Sequence, residues 1–459
     1  MTLAELLALW MPTQRWFAGK GLGVVRVEIE QVTELADHGR LRLLHVIARV
    51  IHTDDGGGEL YQMPMAVRTE PVSGRNHVLI GEAEEGEIQG FVYDGLLDPA
   101  GHAVLLDHLR SGEQAGTIKF RALRTLEDVR GTPVTAEQSN TSIIYGDEYI
   151  LKVFRQLAPG INPDLELTRT LADAGSSYVA APLGWIECPL GGKDTTLAFL
   201  QEFLRTGTSG WLLALASIRD LYAEADLHPD EVGGDFASES ERLGRATAQV
   251  HASLAETLQT RLGDAAEVRD LSQRLIGRLE AAMLAVPELA GQERALRAVY
   301  GRLAQRSGPI ALQRIHGDFH LGQTLRTETG WTLFDFEGEP ARSLSDRRAL
   351  SSPLQDVAGV LRSFDYAARS MLLERPYQPT LAYRADEWSE RNRDAFCDGY
   401  MAVAGADPRD ESVLLLSYEL DKAVYEAVYD ARHRPSWVPI PLGAIARMAE
   451  TVLLDNSPD

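Results

Sequence analysis

The chain changes texture near residue 210, and that change limits the folds open to it. Before it, apolar residues alternate over short runs such as VVRVEIEQV and LRLLHVIARVI, the period of half-buried strands. After it, they recur every three to four positions in GWLLALASIRDLYAEAD, SESERLGRATAQVHASLAETLQTRL and ERALRAVYGRLAQRS, the period of amphipathic helices. One β interlude, IHGDFHLGQTLRTETGWTLFDFEGEP, interrupts the helical half. Strands first, then helices with one embedded hairpin, is an α+β layout in two lobes. Residues 1–90, one short helix followed by strands, read as an extra β-rich N-terminal segment. Residues 91–203 read as a β-rich lobe and 204–459 as a mostly helical one. In TSIIYGDEYILKVFR the Gly-Asp pair predicts a hairpin turn, and NPDLELTRTLADAG predicts a helix starting near Asn162 or Asp164 and ending at Gly175.

Bulk properties exclude some classes. A formal charge of −22 disfavours nucleic acid and anionic membrane surfaces as partners, since both call for basic patches. An anionic substrate would need a local cation or a metal. No run of about 18 apolar residues occurs, and MTLAELLALWMPTQRW has no basic residue ahead of its apolar run, so it fails as a signal peptide. Two cysteines, Cys188 and Cys397, cannot make a disulfide framework or a Cys-rich zinc site. The expected compartment is the cytoplasm.

The interlude carries the chemistry. Asp318 is followed five residues later by Gln323, and the next strand delivers Asp335. Phosphoryl transfer from ATP needs a carboxylate that orients or deprotonates the attacking hydroxyl, and oxygen ligands for Mg2+. In the protein-kinase pattern an amide side chain follows the catalytic Asp at this spacing, and a second Asp arrives on the next hairpin. Gln323 stands where that pattern has Asn. A competing reading takes His316, Asp318 and His320 as ligands of a transition metal, but it leaves Gln323 and Asp335 unexplained.

Upstream, Lys152 lies inside the apolar strand YILKVFR, and Glu166 follows on the predicted helix. A strand Lys paired with a helix Glu grips the phosphates in kinases. Alone, such a Lys would read as one that snorkels from an edge strand. EQSNTSIIYG, Glu137 to Gly146, occupies the place of a phosphate-covering hairpin without a G-x-G-x-x-G. Ser139, Asn140, Thr141 and Ser142 would supply its donors. Gln201, Glu202 and Phe203 would form the linker whose backbone contacts adenine, or simply a core strand.

Near the C-terminus, Tyr418, Lys422, Tyr425, Tyr429 and Arg432 recur at spacings of three and four, with Glu419 and Glu426 on a neighbouring stripe. The stripe reads either as core or as a site for a polyhydroxylated ligand, with Trp437 as a further platform. Asp356 and Arg362 could buttress the Asp335 loop; ordinary surface salt bridges are the expectation adopted.

QSNTSIIYGDEYILKVFR, INPDLEL, IHGDFHLGQ, FDFEGEP, DVAGVLRSFDYAA and YELDKAVYEAVYDARHRPSWVPIPL, with WMPTQRWFAGKG at the start, together resemble the actinobacterial maltokinases, which are related to aminoglycoside phosphotransferases. The resemblance covers nearly the whole chain in order. It implies a two-lobed protein-kinase-like fold with a β-rich N-terminal cap domain. It implies ATP and Mg2+ as cofactors and phosphorylation of maltose at the anomeric hydroxyl, giving maltose 1-phosphate for α-glucan (glycogen) synthesis. It also implies association with trehalose synthase. Carried over by position, Asp318 is the catalytic base, Gln323 and Asp335 hold Mg2+, and Lys152 and Glu166 grip the phosphates. His320, Glu419, Lys422, Tyr425, Glu426, Tyr429, Arg432 and Trp437 are the expected sugar contacts. The alternative acceptor is glucosamine or an aminoglycoside, for which an acidic pocket at Glu419 and Glu426 would suit the amine. A non-catalytic kinase-like module is the reading from another class, and the intact Lys152, Glu166, Asp318 and Asp335 argue against it. His433 stands where Asn is expected in many relatives.

Overall fold

The computed structural model describes residues 1–19, 23–52, 58–134, 139–340, 342–373 and 375–454. The chain forms two compact units, one of residues 1–169 and 180–205, the other of 170–179 and 206–459. Between the runs of the N-terminal segment, HTDDGGGEL reads as a turn, and its centre, 53–57, lies outside the described residues.

The first unit holds two antiparallel sheets. Helix α1 (Leu3–Trp10) starts at Thr2, whose hydroxyl accepts from the Glu5 N–H while the Glu5 carboxylate accepts from the Thr2 N–H. The first sheet contains β1 (Val24–Asp37), β2 (Leu41–His52), β3 (Glu59–Arg68), β4 (Leu79–Ala83) and β5 (Gly90–Asp94), in the order β1-β2-β3-β5-β4. After α2 (Pro99–Ser111) come β6 (Lys119–Ala122), β7 (Gly131–Pro133), β8 (Thr141–Tyr145), β9 (Tyr149–Val153), β10 (Gln156–Leu157), α3 (Pro163–Asp173), β11 (Pro182–Leu190) and β12 (Lys193–Glu202). The second sheet runs β6-β11-β12-β9-β8-β7. The predicted hairpin is there: β8 and β9 pair antiparallel, and Gly146 takes the left-handed φ of 58° that the turn needs.

Sheet membership crosses residue 90. Strand β5 completes the first sheet beyond it, and β10, from the 91–203 segment, returns to pair with β3. The Gln62 amide of β3 donates to the carbonyls of Phe154 (2.7 Å) and Leu197 (2.5 Å). Arg155 pairs with Asp94 at 2.6 Å, both almost wholly buried, and its Nε donates to Thr141 at 2.8 Å. Buried charge is tolerated where it is paired in this way.

The second unit contains β13 (Thr208–Ser209), α4 (Gly210–Ala223), α5 (Ala237–Thr257), β14 (Arg261–Gly263), α6 (Ala265–Ala285), α7 (Glu293–Ala304), β15 (Ile310–Leu312), β16 (Thr324–Arg326), β17 (Trp331–Leu333), α8 (Leu344–Arg347), α9 (Leu354–Ser370), α10 (Pro379–Ala404), α11 (Ser412–His433) and α12 (Pro439–Leu454). The embedded hairpin is β16–β17, with β13 added at its edge. Helices α5 and α10 pack backbone to backbone: a Cβ on Gly244 would overlap the Phe396 carbonyl, and one on Gly399 the Glu241 carbonyl. Helix α9 runs through the centre, every residue from Asp356 to Ala368 being buried. Among the described residues no helix is long and apolar enough to cross a membrane.

Candidate active site

The polar residues of α9 explain how the Asp318 loop is held. A carboxylate buried this deeply needs donors. Asp356 is 1% exposed and accepts from the backbone N–H groups of His316 (2.8 Å) and Gly317 (2.9 Å) and from His251 Nε2 (3.0 Å). The next turn carries Gly359, where a Cβ would overlap the Phe319 carbonyl oxygen. Arg362 pairs with Asp365 (2.8 Å) and with Glu426 of α11 (2.7 Å). The expectation of surface salt bridges at Asp356 and Arg362 is thus overturned. Both are buried, and Asp356 clamps the loop whose residues the sequence had singled out.

The segment from His316 to His320 is a loop rather than a strand. His316 packs against Phe319 and Phe336, and its Nε2 donates to the Phe334 carbonyl at 2.9 Å. That bond ties the Asp318 loop to the segment carrying Asp335. His320 caps the turn after it, its Nδ1 accepting from the Gly322 N–H at 3.0 Å, so the ring proton is on Nε2. Burial pushes the His320 pKa down to about 4, against the pull of Asp318. Among the described residues neither histidine joins a cluster of potential metal ligands. The His-Asp-His metal reading is therefore set aside; His316 supports the loop, and His320 caps its turn.

Asp318 meets a partner that spacing could not reveal. Lys422 of α11 places its Nζ 2.6 Å from Asp318 Oδ1 and 4.0 Å from Glu339 Oε1. Burial alone would raise the Asp318 carboxyl, but Lys422 outweighs it and holds the group at about 2. The carboxylate is therefore charged at any physiological pH and can accept a hydrogen bond from a hydroxyl. Gln323 Nε2 donates to Asp335 Oδ2 at 2.8 Å. Asp335 has a φ of 67°, the only described non-glycine residue with positive φ, and such outliers cluster at functional sites. Its carboxylate and that of Glu337 lie within 4.8 Å of each other. Carboxylates and an amide oxygen are the hard donors that Mg2+ prefers. For Gln323 to join such a set, its amide would turn over, placing Oε1 where Nε2 stands.

On α11 the stripe divides. Tyr418 is core and Arg432 is exposed. Lys422, Tyr425 and Tyr429 form a half-buried row: Lys422 Nζ lies 4.7 Å from the Tyr425 ring centre, and Tyr425 stacks on Tyr429 at 6.3 Å. Trp437 stacks on Tyr366 at 5.7 Å, and the arginine over these rings is Arg434, 4.6 Å from Trp437 and 5.3 Å from Tyr429. His433 packs on Tyr429 at 4.6 Å. Glu419 is buried in a bidentate pair with Arg393 of α10 (2.7 and 3.1 Å), a structural ion pair rather than an open sugar contact. Glu426 is taken by Arg362. The acidic pocket expected at these two residues is internally neutralised.

In the first unit, Lys152 reaches α3 and pairs with Asp164 at 3.1 Å, the two side chains being 12% and 3% exposed. Glu166 lies half-buried two residues further along the same helix. The register sets Ser142 opposite Lys152. Ser139 is exposed, Asn140 half-buried, and Thr141 and Ser142 are buried, with the Thr141 hydroxyl accepting from Arg155. Glu137 and Gln138 of the expected phosphate-covering hairpin lie outside the described residues. Gln201 and Glu202 end β12, and Phe203 follows. The Glu202 and Phe203 N–H groups donate to the carbonyls of Ala181 and Glu148 at 2.9 Å each. The pairing of Asp164 with Lys152, the pairing of Lys422, and Glu337, Glu339 and Arg434 were missed by sequence reasoning, while Asp356 was named but taken for a surface charge. Asp164, in the first turn of a predicted helix, was the one with a visible signal.

A β-rich unit with a buried lysine–carboxylate pair, joined to a helical unit with an aspartate loop and a following acidic hairpin, defines a protein-kinase-like phosphotransferase. Residues 130–390 match the phosphotransferase enzyme family, and residues 10–98 match the maltokinase N-terminal cap domain. The chain belongs to the phosphotransferase enzyme family and carries a cap of that type in its antiparallel N-terminal strands. It is 30% identical over 327 residues to a glucosamine kinase of Streptacidiphilus jiangxiensis, covering 67% of this chain and 72% of the relative. To a glucosamine kinase of Mycolicibacterium smegmatis it is 25% identical, covering 69% and 79%. The solved structure of a glucosamine kinase in complex with glucosamine, ADP and inorganic phosphate shares the fold, with a TM-score of 0.71 at 22% identity over 93% of this chain and 96% of that one. A crystal form of glucosamine kinase gives 0.74 at 21% identity over 99% of each chain.

Proposed function

We propose that the protein is a sugar kinase that transfers the γ-phosphoryl group of ATP to the anomeric hydroxyl of maltose, releasing maltose 1-phosphate and ADP for α-glucan synthesis. The observation that carries the reading is Asp318 paired at 2.6 Å with Lys422 of the aromatic row of α11, on a loop held by Asp356. In this reading the sugar hydroxyl donates to Asp318 and is oriented for in-line attack. Its oxygen forms the new P–O bond, the bond to the ADP leaving oxygen breaks, and the hydroxyl proton passes to Asp318. Lys152, fixed by Asp164 and supported by Glu166, grips the phosphates. Asp335 and Gln323 would hold Mg2+, which when bound would offset the charge of the triphosphate. Lys422, Tyr425, Tyr429 and Trp437 would meet the sugar: rings cover its C–H faces, and the ammonium donates to its oxygens. The match to a maltokinase cap supports maltose.

The names of the curated relatives support a second reading, glucosamine as acceptor. ADP release measured with ATP, Mg2+ and, separately, maltose, glucosamine and an aminoglycoside tests both. Turnover with maltose is expected; turnover with glucosamine alone would sink the favoured acceptor.

A further inference from the structure

The four acidic residues of α11 each have a cationic partner. Glu419 is matched by Arg393 (2.7 Å), Asp421 by Arg278 (2.6 Å), Glu426 by Arg362 (2.7 Å) and Asp430 by Arg434 (2.9 Å). Across from the helix, Glu339 is taken by Arg342 at 2.5 Å and Asp318 by Lys422 at 2.6 Å. A bound ammonium group is held by carboxylates whose charge is not already spent on another cation, because two cations sharing one carboxylate repel each other in a site with little water. Here the cation beside the oxygen that an acceptor's hydroxyl would have to reach is Lys422, 2.6 Å from Asp318.

We propose that Lys422 is a charge filter: beside Asp318 it admits neutral sugars and rejects protonated aminosugars. This rests on the sugar-kinase reading and adds the class of acceptor and the residue that selects it. The groups facing Lys422 are Asp318 and His320 from the loop, Glu339 beyond it, and Tyr425 and Glu426 from its own helix. Burial works against the Lys422 charge, but Asp318 and Glu339 more than restore it and raise its pKa, so the filter stays on across the working range.

The test compares kcat/KM for maltose and glucosamine in the full chain and in two variants. The wild type is expected to prefer maltose at neutral pH. Its kcat/KM for glucosamine, divided by that for maltose, should climb as the pH passes the pKa of the aminosugar's own ammonium group. Lys422→Arg keeps the charge and should keep the preference. Lys422→Gln should narrow it by about a hundredfold to a thousandfold, the size of one like-charge pair about 4–6 Å apart at an effective dielectric near 20. A merely structural Lys422 would lower both rates and leave the ratio and its pH dependence unmoved, which would overturn the filter. Equal or better use of glucosamine by the wild type at neutral pH would overturn it while sparing the sugar-kinase reading. No turnover of either sugar would remove that reading and the filter with it. The pH series uses the unaltered chain, so it decides even where Lys422→Gln fails to fold.

Discussion

Gly359 of α9 lies so close to Phe319 that no side chain fits between the helix and the carbonyl of the loop residue next to Asp318. The position of the loop is therefore set by the absence of a Cβ forty residues away. Gly359→Ala should force helix and loop apart, costing about 1–3 kcal/mol as overpacking does, and should lower kcat because Asp318 moves with its neighbour. Gly301→Ala, in α7 where a Cβ meets nothing within 4 Å, is the control and should leave stability unchanged or slightly raised. Thermal melts and turnover of the two variants check this; equal behaviour would refute the close-approach argument.

Asp356 satisfies two backbone N–H groups and one imidazole from the interior. Asp356→Ala should leave these donors buried and unpaired, and each such group costs about 1–3 kcal/mol. Urea unfolding should show a midpoint shift with a similar slope. A drop under 1 kcal/mol would show that the loop is held by other contacts.

Asp318→Asn keeps shape and removes the acceptor charge. Turnover should fall about 10²–10⁴-fold, the usual contribution of a positioned acid or base, while ATP binding followed by calorimetry is retained. Normal turnover in this variant would refute the role assigned to Asp318.

Lys152→Met and Asp164→Asn both break the pair on which phosphate binding is proposed to depend. Charge-assisted hydrogen bonds contribute about 1.5–3 kcal/mol, so KM for ATP should rise about tenfold to a hundredfold in either variant, with the acceptor KM little changed. An effect from Lys152→Met alone would assign the supporting role to Glu166 instead.

His320 sets a pH dependence of stability. Its folded pKa is depressed from 6.5 to about 4 by burial, so between those values the unfolded chain takes up a proton that the folded chain does not. Stability is fully present above pH 6.5 and is lost as the pH falls toward 4, by an amount on the order of 3 kcal/mol. Asp318, held at about 2, acts in a lower window, its contribution fading as the pH falls from near 4 to near 2. Denaturant midpoints at pH 7 and 4.5 should differ less in His320→Asn, which keeps an acceptor for the Gly322 N–H but does not titrate.

Sequence alone determined the order of β-rich and helical halves, the hairpin at Gly146, the embedded hairpin and the spacing of Asp318, Gln323 and Asp335. These follow from local periodicity, turn chemistry and short-range geometry, all written in neighbouring residues. What it could not settle was pairing across the chain. Asp164, on the near end of α3, pairs with Lys152, and only the placed helix showed that contact. Asp356 and Arg362 look like surface charges until α9 is seen to run through the interior. Glu419 and Glu426 look like an acidic pocket until Arg393 and Arg362 arrive from two other helices and cancel them. Lys422 reaches Asp318 across 104 positions. Charge in a site is a sum over groups that only the tertiary fold brings within a few ångströms. Helical spacing can name the residues on a face, but which of those charges stays unmatched is decided by packing.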